Sequence, residues 1–267
     1  IPGIRVKNGY FDFDGGPGSE QPADVVIMRH VLEHLPHPID VVRSFRSGLF
    51  QEPQPEFLFI EVPNSYQLLS EDLYFDFYND HIQYFSTASL TSLISAAGWV
   101  PFAAMGTERE FIRMLFKNSD YGIESPTGQE QSTDGTDAPD VMSAALAFKK
   151  DYSTWLRRLK EVIEGQSAHG SKVAVWGAGA RGISLLNGLR EAGASISYIV
   201  DSDPVKHGKY VPLANLPVYS ADQLKSDPVD CVLVSSYTFF DEISSQLHWF
   251  SEQGGKIIKV YPSPEVA

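Results

Sequence analysis

The sequence predicts an α/β protein made of two sheet domains in tandem, and three observations carry that expectation. Short apolar runs alternate with stretches of helical periodicity in both halves. A glycine-rich turn, Gly177–Gly182, joins one such run directly to one such helix. Between the halves, Asn118–Pro139 is rich in Gly, Ser, Thr, Gln, Asp and Pro and poor in apolar residues. Expected are a partial open α/β sheet over residues 1–118, a linker over 119–140, and a long helix plus a doubly wound parallel sheet over 141–267.

In the first domain Val25–Met28 is a short apolar run bounded by turn formers, which predicts a buried parallel strand. Pro38 opens PIDVVRSFRSGL, where Ile39, Val42, Phe45 and Leu49 recur at helical spacing. Phe57–Val62 is a second buried strand, closed by Pro63-Asn64. Ser86 or Thr87 caps the helix SLTSLISAAGW, with Gly98 in the position that ends it. Runs around Pro101–Ala104 and Phe111–Phe116 complete the set.

Beyond the linker, Val141–Gly165 carries Ala144, Phe148, Tyr152, Trp155, Leu159 and Ile163 on one stripe, which predicts one helix. Lys172–Trp176 then runs into Gly177-Ala178-Gly179-Ala180-Arg181-Gly182 and the helix ISLLNGLREAG. The next strand ends at Asp201, 24 residues past the first glycine. Strand, G-x-G-x-x-G, helix, strand and acid together specify a Rossmann-like domain, whose glycines let backbone approach a phosphate at a helix N-terminus. Asp230–Ser235 and Lys256–Tyr261 are further strands around a helix near Asp241–Gln253. Two readings of Gly177, Gly179, Gly182 and Asp201 stay open. One is a nicotinamide site with Asp201 on a ribose. The other is a fold used for substrate or nucleotide binding, or for packing alone. No hydride-transfer acid/base pair accompanies the loop, and a long turn-rich excursion follows Asp201; both features favour the second.

A formal charge of -13 gives no basic footprint for nucleic acid. No run of 18 apolar residues suggests a membrane span, and no leader is apparent at the N-terminus. The single cysteine, Cys231, lies in a strand-like apolar run; it excludes a disulfide framework and fits a buried thiol in a cytoplasmic protein.

His30-Val31-Leu32-Glu33-His34 spells the H-x-x-E-H pattern of a zinc protease class. That chemistry needs both histidines on one helical turn, and Pro36 and Pro38 leave no room for the helix, so no metal site is expected. The stretch instead resembles the fourth strand and following loop of class I S-adenosylmethionine (SAM)-dependent methyltransferases. That resemblance implies that Arg29 and His30 face the methionine end of SAM, and that Tyr10 and Phe11, in Asn8-Gly9-Tyr10-Phe11, pack near its adenine.

Tyr78-Asn79-Asp80-His81-Ile82-Gln83-Tyr84-Phe85-Ser86 resembles the Y-x-E-H-x-x-Y-F-S element of nucleotide-sugar C-methyltransferases. In that family a methyltransferase domain also precedes a Rossmann-like C-terminal domain, so the resemblance covers essentially the whole chain. It implies His81 as general base, with Asp80, Tyr78 and His34 lining the site; Asp80 departs from the family's Glu. The chemistry agrees. Methylating carbon beside a ketone requires removal of an α-proton, which imidazole suits near neutral pH, while a carboxylate fixes its tautomer. A plainer reading has Asp80 and His81 capping the helix near Ser86, with Tyr84 and Phe85 in the core and His34 structural. His37 is read as a surface residue.

No glycine loop or ribose-binding acid precedes Tyr10, nor does the family's cysteine-rich zinc module. The chain is therefore expected to be the C-terminal part of a longer enzyme acting on a small nucleotide-sugar-like substrate. Its first sheet edge would be covered by a helix or by a second copy in a homo-oligomer. Two alternatives are a nucleotide-binding module with a vestigial methyltransferase half and an NAD(P)-dependent oxidoreductase.

Overall fold

The computed structural model describes residues 6, 8–9, 21–78, 80–104, 110–122, 141–165, 172–191, 193–212, 214–261 and 263–266. The chain divides into two compact units: Ile1–Ser65 with Asp80–Pro139, and Tyr66–Asn79 with Asp140–Ala267. A cut in the linker alone does not describe this division, because Tyr66–Asn79 belongs with the later residues. The reason is local. Tyr74 in that segment is buried against the rings of Phe148, Tyr152 and Trp155, at centroid distances of 4.7, 5.3 and 5.6 Å, which removes a large aromatic from water.

The first unit holds β1 (Val25–Arg29), α1 (Pro38–Ser44), β2 (Phe57–Pro63), the start of α2 (Ser65–Ser70), α3 (Thr87–Ala96), β3 (Trp99–Ala104) and β4 (Phe111–Asn118). The sheet order is β1-β2-β4-β3. β1 and β2 run parallel, whereas β4 lies antiparallel to both of its neighbours. Every second residue of β4 is buried, the period-2 signature of a strand with one face on the core. That core is built from Leu58, Ile60, Val62, Leu90, Ile94, Trp99, Ile112 and Phe116.

Two local expectations shift and a third holds. β1 is not buried on both faces: Val25 and Ile27 are exposed, Val26 is half-buried and only Met28 is fully buried. Its apolar run looks like a central strand in sequence, yet among the described residues it pairs only with β2. α1 stops at Ser44, because the chain turns there and Gly48 adopts a φ of +93°. α3 does begin at an Ser86 cap, whose side chain and that of Ser89 bond each other's backbone N–H groups.

The second unit adds α4 (Val141–Glu164), β5 (Val173–Trp176), α5 (Ala180–Glu191), β6 (Tyr198–Val200), β7 (Tyr210–Val211), β8 (Leu216–Tyr219), α6 (Gln223–Ser226), β9 (Cys231–Val234), α7 (Phe240–Gln246), α8 (His248–Glu252), β10 (Lys256–Lys259) and β11 (Glu265–Val266). Its sheet runs β11-β10-β9-β5-β6-β8-β7. β10, β9, β5, β6 and β8 are parallel, and β11 and β7 are antiparallel margins. Apolar clusters cover both faces, one including Trp155, Leu159, Leu185 and Leu189, the other Leu224, Phe240, Ile243, Leu247 and Phe250. The sheet is thus doubly wound, with β5 at the point where the strand order reverses. Cys231 is a buried free thiol whose pKa burial pushes up to about 12. No helix among the described residues is long and apolar enough to cross a membrane.

Candidate active site

Two groups of polar residues lie at strand ends, one in each unit. In the first unit the chain leaves β1 through His30, which takes a left-handed backbone (φ +52°), a conformation uncommon outside glycine and worth a functional reading. A three-residue 3₁₀ turn follows, Leu32–His34. It is too short to carry the zinc-protease arrangement of the H-x-x-E-H pattern. The carbonyl of Glu33 accepts the backbone N–H groups of Ile82 and Gln83, each at 3.0 Å. That clamp brings His81 to the turn.

The result is a cluster of three histidines and a buried carboxylate. The His34 and His81 rings meet edge to face at 4.9 Å. His34 Nδ1 lies 2.7 Å from the carbonyl oxygen of Asp80. A carbonyl only accepts, so Nδ1 carries the hydrogen and the Nε2 lone pair is left for other partners. Burial lowers the pKa of His81 below the usual imidazole value; Glu33 and Asp80 oppose that shift, and His34 and His30 add to it. A neutral imidazole at pH 7 is the form that accepts protons. Asp80 and His81 do not cap α3, because that role belongs to Ser86.

Glu33, His34 and His81 each offer a ligand atom, all within 4.8 Å of one another. That limit is looser than the edge of about 3.3 Å in a tetrahedral zinc site with bonds near 2.0–2.1 Å. The arrangement suits proton handling, and we assign it no metal.

Beside the cluster, Glu61 of β2 is nearly inaccessible and is shared by three groups. Arg29 reaches Oε1 at 2.8 Å, His30 Nε2 lies 3.0 Å from the same atom, and Arg113 reaches Oε2 at 2.5 Å. Burial works against its charge, but hydrogen bonds from Arg113 and Arg29 outweigh it and hold the carboxyl below the ordinary range. Arg29 stays 59% exposed, so its guanidinium keeps a face toward solvent. Tyr10 and Phe11 lie outside the described residues.

Tyr78 falls in the second unit. Its hydroxyl donates to Asp76 at 2.8 Å, and burial together with Asp76 raises its pKa far above an ordinary phenol. Asp76 is also held by Arg181, with one bond from Nη2 at 2.9 Å and another from Nε. Arg181 further donates to the Tyr237 hydroxyl at 2.8 Å and lies over its ring.

The glycine loop follows β5. Gly177 takes a φ of +114°, and a Cβ on Gly182 would sit 1.8 Å from the Gly177 carbonyl oxygen, so only glycine allows α5 to start this close to the loop. A Cβ on Gly179 would meet nothing within 4 Å, which leaves that backbone open to an approaching group. Asp201 points into the loop. Its Oδ2 accepts the Ala178 N–H at 2.7 Å and the Lys206 ammonium at 3.0 Å, and its Oδ1 accepts the Asp203 N–H at 2.8 Å. Burial disfavours its charge, but these donors prevail and lower its pKa.

The residue that the sequence reading passed over is Glu33. Its signal was present, between the two histidines of the pattern, but its burial depends on the clamp to Ile82 and Gln83.

Comparisons with known proteins match two successive stretches of the chain to two family models. Residues 128–262 match the family model described as C-methyltransferase C-terminal domain, and residues 4–102 match one described as methyltransferase domain. C-methyltransferase NovU of Streptomyces niveus is 24% identical over 248 residues, which are 91% of this chain and 58% of that protein. The chain thus spans little more than half of that relative's length. Among solved structures, TnmH aligns at 17% identity over 40% of this chain and 32% of its own, with a TM-score of 0.29. An O-methyltransferase family 2 protein from Planctomyces limnophilus aligns at 21% identity over 40% of this chain and 33% of its own, also at 0.29. Structural likeness of that degree carries no argument.

Proposed function

The chain belongs to the C-methyltransferase family that carries this C-terminal domain, and from that premise we propose that it is part of a SAM-dependent enzyme methylating carbon beside a ketone in a nucleotide-linked sugar or similar small molecule. The observation that carries the reading is the cluster at the end of β1, where a half-buried, pKa-lowered His81 lies beside His34 and the buried Glu33. Bound SAM supplies an electrophilic methyl group on sulfur. Arg29, exposed at the end of β1, would hold its methionine carboxylate, with His30 beside it.

The residues of this chain have the other half of the work. His81 takes the α-proton through an unprotonated ring nitrogen, and the electron pair left on the substrate forms an enolate; its carbon would take the methyl group of SAM held at Arg29, the electron pair of the broken S–CH3 bond staying on sulfur. His34, with Nδ1–H fixed on the Asp80 carbonyl, keeps its neighbour's ring in place. In the second unit the open backbone at Gly179 fits a phosphate group. Asp201 accepts bonds from Ala178, Asp203 and Lys206 and so braces the loop that carries Gly179.

The test uses the full-length protein and a panel of nucleotide-linked keto sugars. His81→Ala is expected to lower turnover by roughly two to four orders of magnitude, with SAM affinity by calorimetry nearly unchanged. An equal loss of SAM affinity would make His81 structural and remove it as the base.

A further inference from the structure

Glu33 is a buried carboxylate without a hydrogen bond. Its side chain is 1% exposed, and neither of its oxygens has a hydrogen-bond partner among the described residues. Withdrawing a carboxylate from water is costly, so compensating charge must be available nearby. What surrounds it is imidazole. Oε1 lies 3.5 Å from His30 Nδ1, and a carboxylate oxygen lies within 4.8 Å of ring nitrogens of both His34 and His81. The backbone makes the arrangement rigid, since the Glu33 carbonyl holds the N–H groups of Ile82 and Gln83, next to His81.

Asp80, adjacent to His81 in sequence, is placed differently. Its side chain is 75% exposed and comes only to 3.7 Å from His34 Nδ1. Water screens such a group, so its influence on a neighbouring charge is small.

We infer that Glu33, rather than Asp80, is the carboxylate partner of His81, a positioning residue that orients the ring and stabilises the imidazolium formed when His81 takes a proton. The inference rests on the reading of His81 as the base. In that step the proton moves from substrate carbon to a ring nitrogen, Glu33 stays ionised, and the new positive charge forms against an existing negative one. Among the groups facing His81 are Glu33, His34, His30, Asp80 and the Tyr84 ring. His30 is in turn tied to Glu61, which Arg29 and Arg113 neutralise. Glu33 is therefore the carboxylate left to His81. Burial still outweighs it and keeps His81 below the usual imidazole value.

The experiment is a histidine-ring NMR titration of the 267-residue chain in EDTA, with His81 assigned through His81→Gln. Glu33→Gln should lower the His81 midpoint by about one pH unit or more, a tenfold loss of proton affinity. Glu33→Asp should recover part of it, and Asp80→Asn should move it by less than about 0.3 unit. A larger shift in Asp80→Asn than in Glu33→Gln overturns the assignment. Should Glu33→Gln fail to fold, the unsubstituted protein still decides: the Glu33 side-chain carboxyl carbon must show an inflection at the His81 midpoint, because coupling between the two sites is reciprocal. Its absence overturns the pairing. Normal turnover in His81→Ala with these NMR effects intact removes the base and leaves the pair, whereas the reverse pattern removes Glu33 and leaves the base.

Discussion

His81 is a partly buried imidazole whose pKa burial lowers below 6.5, and that has a consequence for stability as well as for catalysis. The unfolded chain, with an ordinary histidine, takes up its proton first as the pH falls. The contribution of neutral His81 is therefore complete above about pH 6.5 and is lost as the pH falls through the lower folded value. Thermal melts between pH 7.5 and 5 are expected to show a drop in Tm that His81→Gln reduces. Parallel profiles for the two proteins would mean that burial does not set the charge of this group. The same argument places the acid limb of kcat/KM in the full-length enzyme below pH 6.5.

At the scale of an element, the turn from β5 into α5 shows how one spacing serves two purposes. Gly182 is required by the Gly177 carbonyl oxygen 1.8 Å from where its Cβ would be, while Gly179 faces open space. Gly182→Ala must push α5 away from the sheet and is expected to cost about 2–3 kcal/mol or more in chemical unfolding. Gly179→Ala is expected to stay within about 0.5 kcal/mol. If the open backbone at Gly179 receives a phosphate, the same substitution abolishes the rise in Tm produced by nucleoside diphosphates. Equal stabilities for the two variants would show that the loop relaxes more freely than its packing implies. Asp201 belongs to this element too: a ribose ligand is one of the two readings the sequence leaves open for it, and in the structure it braces the loop through Ala178, Asp203 and Lys206.

For the whole molecule the notable feature is that Tyr66–Asn79, which precedes α3 in sequence, is part of the second unit. Tyr74 anchors it on α4 among Phe148, Tyr152 and Trp155. Tyr74→Ala is expected to cost about 3–5 kcal/mol, the range for deleting a buried aromatic. Hydrogen exchange should place the loss of protection in β5, β6 and β9, with β2 and β4 unchanged. Loss of protection in β2 and β4 alone would contradict the division.

The sequence by itself determined the doubly wound second domain, because strand, glycine loop, helix and acid follow one another within a short stretch and each is a local demand on the backbone. It also indicated α3, with Ser86 or Thr87 as its cap, and a helix over residues 141–165; the structure chooses Ser86 and ends the helix at Glu164. Only the tertiary structure decided that β1 has an exposed face, since an apolar run does not say how many neighbours a strand has. Only it placed Tyr66–Asn79 in the second unit, through aromatics that in sequence resemble any other. In the candidate site, it was the family resemblance that singled out His81, Asp80, Tyr78 and His34, and the structure brings the rings of His34 and His81 together. The burial of Glu33 and the exposure of Asp80 were not legible, because a charged residue's partner depends on which segments the folded chain brings together, and here a backbone clamp between the 3₁₀ turn and Ile82 makes that choice.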